Sequence, residues 1–102
     1  MMRMKYPPHP GKLVKMSLEE LNIPVAEAAR ALGITRQHLH NIMAGKSAIS
    51  AEMAVRLEKG IGSTAGAWLR MQASHDLSLV LNRNEQPDVH RLEPREPRQA
   101  AE

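Results

Sequence analysis

The chain has 102 residues, with 14 Lys or Arg against 11 Asp or Glu, and no cysteine, which excludes disulfides, thiolate zinc sites and cysteine nucleophiles. This length predicts a single domain. No apolar run approaches the roughly 18 residues of a membrane span, so the sequence indicates a protein of the reducing cytoplasm. Tyr6 and Trp68 are the only aromatic residues, which disfavours RNA-binding modules that stack bases on exposed rings.

Five helical segments are predicted in chain order after an irregular start over residues 1–9. Proline at an early helical position, Ser or Thr caps and terminal glycines place them at about residues 10–22, 24–32, 36–44, 51–61 and 64–81. In the last helix one side carries Trp68, Met71, His75 and Leu79. No segment alternates like a strand, so the prediction is an all-α bundle.

The composition changes at Arg83. Residues 83–102 hold three prolines and nine charges, with Val89 and Leu92 as the only large apolar residues. Such a segment buries too little surface to offset the entropy of ordering it. We therefore predict a folded domain over residues 1–82 and a flexible C-terminal tail over residues 83–102. A segment that orders on contact with a partner remains the alternative.

The second and third helices form a helix-turn-helix pattern. The second carries an apolar stripe at helical spacing, Gly33 permits the left-handed conformation that ends a helix, and Thr35 is a good N-cap for the third. Opposite Leu39 on the third helix lie Gln37 and Asn41, with His40 beside them. Gln and Asn can pair with adenine edges, so this face suits the major groove of DNA. A solvated face of the same composition is the alternative.

Charge along the chain favours the same segment. Residues 1–82 hold ten basic and six acidic residues, whereas residues 83–102 hold four and five. No acidic residue lies between Glu27 and Glu52, but three basic residues lie there: Arg30, Arg36 and Lys46. This distribution fits contact with phosphates, although ordinary surface charge would look similar.

The five histidines do not form a metal or catalytic pattern. His38 and His40 are two residues apart and therefore point about 200° apart on a helix. Two histidines that share a metal ion on one helix need a spacing of four residues. No nucleophile, base or carboxylate pair stands at a supporting spacing. The sequence therefore predicts a protein that is not an enzyme and that needs no metal or cofactor.

Taken together, these segments resemble the HigA/VapI-type antitoxins of the Xre-like helix-turn-helix superfamily, which have a lambda-repressor-like fold of five helices. The resemblance is carried by YPPHPGKLV at residues 6–14, by VAEAARALGITRQHLHNIMAGKSAIS at 25–50, and by MAVRLEKGIGSTAGAWLRMQASHDL at 53–77. It implies a homodimer that binds a palindromic operator in double-stranded DNA and represses its own operon. It also implies a small RelE-like ribonuclease toxin as the partner that the antitoxin neutralises.

Carried over by position, the resemblance assigns DNA contacts to the third helix and its flanks. These residues are Thr35, Arg36, Gln37, His38, His40 and Asn41, with Lys46 near the DNA backbone. Arg30 is a further candidate for phosphate contact. Two positions depart from the family pattern: Val25 stands where many members have a phosphate-binding Gln, and His75 stands where an aromatic residue is common.

The fifth helix has more apolar surface than a domain of this size should need. We therefore assign the dimer contact to Trp68, Leu69, Leu77 and Leu79. Two alternatives remain open at this point. One is a transcriptional regulator of the same fold that has no toxin, and the other is a protein-interaction module whose helix-turn-helix no longer binds DNA, as Val25 would allow.

Overall fold

A computed structural model describes residues 5–97, which form five helices and no strand. The helices are α1 (Gly11–Leu21), α2 (Val25–Leu32), α3 (Arg36–Met43), α4 (Ala51–Gly60) and α5 (Ala65–Leu81). The predicted all-α, five-helix fold is therefore confirmed. Residues 1–4 and 98–102, which belong to the predicted irregular start and the predicted tail, lie outside the described residues. None of the helices in the described part is long and apolar enough to cross a membrane.

Side-chain caps fix the starts of three helices where the sequence predicts them. The hydroxyl oxygens of Thr35, Ser50 and Thr64 accept hydrogen bonds from backbone N–H groups three residues later, at 3.0, 3.2 and 3.0 Å. Each bond satisfies one of the donors that a helix leaves unpaired at its N-terminus. These local contacts set where α3, α4 and α5 begin.

Trp68 lies in the centre of the core and not on the surface. Its side chain is 1% exposed, and its indole Nε1–H donates to the carbonyl oxygen of Gly62 at 3.0 Å. A side chain this deeply buried has no surface to offer a second copy of the chain. The assignment of Trp68 to a dimer contact is therefore wrong, because the indole belongs to the buried hydrophobic cluster of the domain.

The inner side of α5 also differs from the predicted apolar stripe. Leu79 is 58% exposed, whereas Gln72 and Ser78 are buried. Gln72 is buried because its Oε1 accepts from the backbone N–H of Ile49 at 2.8 Å, while its Nε2 donates to Asp76 at 3.0 Å. A buried backbone N–H without a partner is costly, so a polar residue stands on the buried side of α5.

The segment before α1 is anchored to α5 by side chains. His75 Nδ1 lies 3.0 Å from the carbonyl oxygen of Pro7, and Asn82 Nδ2 donates to the carbonyl oxygen of Lys5 at 2.9 Å. The imidazole of His9 meets that of His75 edge to face, with centroids 5.1 Å apart. His75, the departure from the family pattern, thus contacts the chain's opening segment by hydrogen bonding and by ring packing.

The close packing of α1 on α3 depends on Gly11. A Cβ built on Gly11 would overlap the backbone carbonyl oxygen of Ile42 at the end of α3. The N–H of Gly11 donates to Nδ1 of His9 at 2.9 Å, and Pro10 is fully buried beside it. The sequence His-Pro-Gly thus lets the start of α1 approach the end of α3 at backbone distance.

Acid should weaken the fold through His9. Burial lowers the pKa of the His9 imidazole, and His75 lowers it further, against the opposing effects of Asp76 and the backbone of Ser47. The unfolded chain therefore binds a proton at His9 more readily than the folded chain does. The stability that neutral His9 contributes is complete above the ordinary histidine pKa of 6.5. It is lost as the pH falls from that value towards the lower pKa of His9 in the folded protein.

The test of this expectation is urea unfolding of the natural chain and of His9→Asn between about pH 5 and 8. Asparagine can accept the Gly11 N–H through its side-chain oxygen but does not titrate in this range. The variant should lose less stability on acidification than the natural chain. Equal losses in the two proteins would show that His9 is not the responsible group.

Residues 83–97 contain no helix or strand, and all of them are exposed. The amide of Gln86 donates to the carbonyl oxygens of Val80 and Arg83, both at 2.9 Å. These bonds tie the side chain of Gln86 to the C-terminal end of α5.

Candidate nucleic-acid interface

The turn between α2 and α3 sets the direction of α3. Gly33 adopts a φ of 73°. Its N–H donates to the backbone carbonyl oxygen of Arg30, and the N–H of Ile34 donates to the backbone carbonyl oxygen of Ala29. This is the left-handed helix end that glycine allows at little cost. Thr35 then caps α3, so only two residues separate the end of one helix from the cap of the next.

α3 is packed from behind and open in front. Leu39 and Ile42 are fully buried, whereas Arg36, Gln37 and His40 are exposed. His38 and Asn41 are partly exposed. The predicted division of this helix into a core face and a polar face is what the structure has.

Two of the predicted reading groups pair with each other in the absence of DNA. Gln37 Nε2 donates to Asn41 Oδ1 at 3.1 Å, one helical turn along. The bond satisfies only part of the hydrogen-bonding capacity of the two amides, which keep further donors and acceptors for other partners. Thr35 is different, because its hydroxyl already accepts the N–H of His38 and is used as a helix cap.

Basic residues flank α3 on both sides. Arg30 is exposed in the last turn of α2, and Lys46 is exposed beyond Gly45, with its backbone N–H donating to the carbonyl oxygen of Asn41 at 2.8 Å. Within residues 5–97, no carboxylate forms a salt bridge with Arg30, Arg36 or Lys46. The three cations are therefore available to neutralise phosphates.

Arg56 is a supporting residue that sequence reasoning missed. From α4 its guanidinium donates to the carbonyl oxygen of Leu32 at 2.9 Å and pairs with Glu52 at 2.8 Å. It therefore holds the C-terminus of α2 next to the turn. The spacing of Glu52 and Arg56 by four residues was visible in the sequence, but the backbone oxygen on α2 was not.

Val25, the first residue of α2, supports the core. It is partly buried and packs against the hydrophobic cluster of the domain. Valine has no hydrogen-bonding group, so this residue cannot contact a phosphate through its side chain. No group of three or more His, Asp or Glu side chains in the described part of the chain could hold a metal ion.

Comparison with known proteins agrees with the helix-turn-helix geometry of α2 and α3. Residues 14–69 match the helix-turn-helix family HTH_3. The chain is 51% identical over 79 residues to virulence-associated protein A' of Dichelobacter nodosus, covering 76% of this chain and 69% of that protein.

Two solved structures have the same fold. An addiction-module antidote protein of the HigA family from Coxiella burnetii superposes with a TM-score of 0.70 and 32% identity, covering 78% of this chain and 85% of that one. Antitoxin HigA of Pseudomonas aeruginosa, solved with the higBA promoter, has a TM-score of 0.68 and 32% identity, covering 72% and 80%.

Proposed function

Because the chain belongs to the helix-turn-helix family HTH_3, with the Xre-like fold of HigA-family antitoxins, we propose that it is an antitoxin that represses its own operon. In this proposal it binds a palindromic operator as a homodimer and neutralises a RelE-like ribonuclease toxin. The observation that carries the proposal is the exposed polar face of α3, set between unpaired cations. A related antitoxin whose structure was solved with its promoter supports the DNA-binding part.

Gln37, His40 and Asn41 are proposed to read base edges, and Arg36, Lys46 and Arg30 to contact phosphates. Base contacts specify the sequence, whereas phosphate contacts supply affinity that depends on salt. The N-terminal end of α3, where Arg36 and Gln37 lie, is the part of a recognition helix that usually meets the bases. Thr35 and His38 contribute through the cap that orients this end.

Loss of Gln37 or Asn41 should relax sequence preference. Gln37→Ala and Asn41→Ala are each expected to cost about 1–3 kcal/mol of discrimination between operator and scrambled DNA. Because the two amides bond to each other, the double variant should cost less than the sum of the single ones. Titration of labelled operator and scrambled duplexes measures both quantities. Unchanged preference in all three variants would remove α3 as the reader.

Lys46→Ala should act on all sequences alike. Losing one phosphate contact is expected to weaken binding to operator and scrambled DNA equally and to make the salt dependence shallower by about one unit of slope. Lys59→Ala, an exposed lysine in the last turn of α4, is the matched control and should leave the slope unchanged. Equal effects of the two substitutions would contradict a specific role for Lys46.

The dimer contact is proposed on the exposed apolar residues of α5. Leu77 and Leu79 are exposed, and Leu69 is partly buried at the edge of the core. A two-fold dimer would place two copies of α3 about 34 Å apart, the repeat of the major groove along one face of DNA. This arrangement is the simplest way for a small domain to bind a palindrome.

Leu77→Glu should convert the dimer into a monomer. Light scattering at tens of micromolar is expected to give a dimer for the natural chain and for Leu21→Glu, a control at an exposed leucine of α1. It should give a monomer for Leu77→Glu, because two carboxylates would then face each other across the contact. A natural chain that is monomeric without DNA would contradict the proposal.

The proposed toxin partner is tested first by searching for a neighbouring gene that could encode it. A reading frame of about 90–110 residues next to this one, the length of a small single domain, would encode the partner. Its product should arrest growth when expressed alone and be harmless when expressed with this chain. Absence of such a frame would leave a transcriptional regulator without a toxin.

A further inference from the structure

An apolar groove of about 700 Å³ runs between α1 and α5, and no residue of α3 lines it. Its floor includes Leu13, Met16 and Met71, and residues 7–10 form one wall. Lys12 and Arg70 also line the groove, and both are cationic. No carboxylate of the described residues lines it. The groove therefore suits an apolar segment that carries acidic residues.

Residues 88–93 of the tail have this chemistry. Val89 and Leu92 are 79% and 93% exposed, and they are the only large apolar side chains beyond α5. Asp88 and Glu93 directly flank them and outnumber the one arginine of the segment, Arg91. Prolines before and after this segment favour an extended left-handed helix with three residues per turn, which places Val89 and Leu92 on the same side.

The tail is long enough to reach the groove. The bonds of Gln86 to the carbonyl oxygens of Val80 and Arg83 bring the chain back to the level of Val80. From there α5 rises about 1.5 Å per residue back to Met71, roughly 14 Å, whereas the six residues from Gln86 to Leu92 span roughly 19 Å when extended. Leu92 can therefore reach the level of Met16 and Met71.

We propose that residues 88–93 dock into the groove of the same chain, with Val89 and Leu92 on the methionines and the flanking carboxylates near Lys12 and Arg70. Burial of two apolar side chains is opposed by the entropy of ordering the tail, so docked and released tails exchange. The structure shows the released form. A protein that binds this groove has to displace the tail.

The absence of cysteine from the chain permits a direct test by disulfide formation. Met16→Cys with Leu92→Cys pairs the groove with the tail, and Leu21→Cys with Leu92→Cys is the control. Met16 and Leu21 lie on the same helix and are 53% and 54% exposed, but only Met16 lines the groove. Under mild oxidation of dilute protein, the first pair should form an intramolecular disulfide at least about tenfold faster than the second, as expected when docking raises the effective concentration.

Equal rates for the two pairs, or a disulfide that joins two copies, would overturn docking within one chain. A second measurement covers the event that the cysteine variants do not fold. In the full chain, Val89→Asn with Leu92→Asn should shift the methyl resonances of Met16 and Met71 and leave that of buried Met53 in place. Unchanged resonances of Met16 and Met71 would also overturn the proposal.

Discussion

Gly11→Ala should lower the free energy of unfolding by about 3 kcal/mol, the upper end of what overpacking usually costs. The added methyl group would overlap the backbone carbonyl oxygen of Ile42, and backbone cannot rotate away as a side chain can. α1 and α3 would have to separate, which would also disturb the bond between Gly11 and His9. Because small domains have about 5–15 kcal/mol of total stability, a loss of this size is easily measured by urea unfolding.

Gly66→Ala is the matched control for this prediction. Gly66 is also in the first turn of a helix, but it is exposed, and a Cβ there would meet only the guanidinium of Arg70 at 3.1 Å. That side chain is flexible, so alanine should raise stability by about 0.5–1 kcal/mol through its better helix propensity. A loss of stability in both variants would mean that the contact with Ile42 is not the cause at Gly11.

Trp68→Ala should cost about 3–5 kcal/mol, as large truncations at buried aromatic positions do. The substitution removes the largest fully buried side chain and leaves the carbonyl oxygen of Gly62 without its indole partner. Circular dichroism must follow the unfolding, because Trp68 is the only tryptophan and the variant has no intrinsic indole fluorescence.

Two further variants serve as controls for the stability loss of Trp68→Ala: Trp68→Phe and Leu21→Ala. Phenylalanine keeps much of the packing but not the hydrogen bond, so its loss should be intermediate. Leu21 is a half-exposed apolar residue on α1, and its truncation should change stability by about 0.5 kcal/mol or less. If Trp68→Ala instead kept full stability while weakening dimerisation, the central position of the indole would be wrong.

The helix boundaries could be predicted from the sequence because their determinants are local. Thr35, Ser50 and Thr64 each contact a backbone N–H three residues away, and Gly33 closes α2 by its own conformation. The exposed polar face of α3 could be predicted equally well, since helical periodicity alone separates Leu39 from Gln37 and Asn41.

Contacts between distant segments could not be predicted in this way. Arg56 bonds to Leu32 across 24 positions, Gln72 to Ile49 across 23, and His75 lies against Pro7 across 68. In each pair one partner is a backbone group, which has no signature in the sequence. Gln72 went unnoticed for the same reason, because its burial depends on the backbone N–H of Ile49, which its side chain accepts.

The arrangement behind α3 has a consequence for how this protein could acquire a new target. Leu39 and Ile42 hold the helix from the core, and Arg56 braces the preceding turn from α4, so none of the supporting contacts passes through Gln37 or His40. Exchange of these outward side chains should redirect the domain to another DNA sequence at little cost in stability. A graft of residues 25–43 onto a relative, by contrast, needs Glu52 and Arg56 to travel with it, or the transplanted helix loses its alignment.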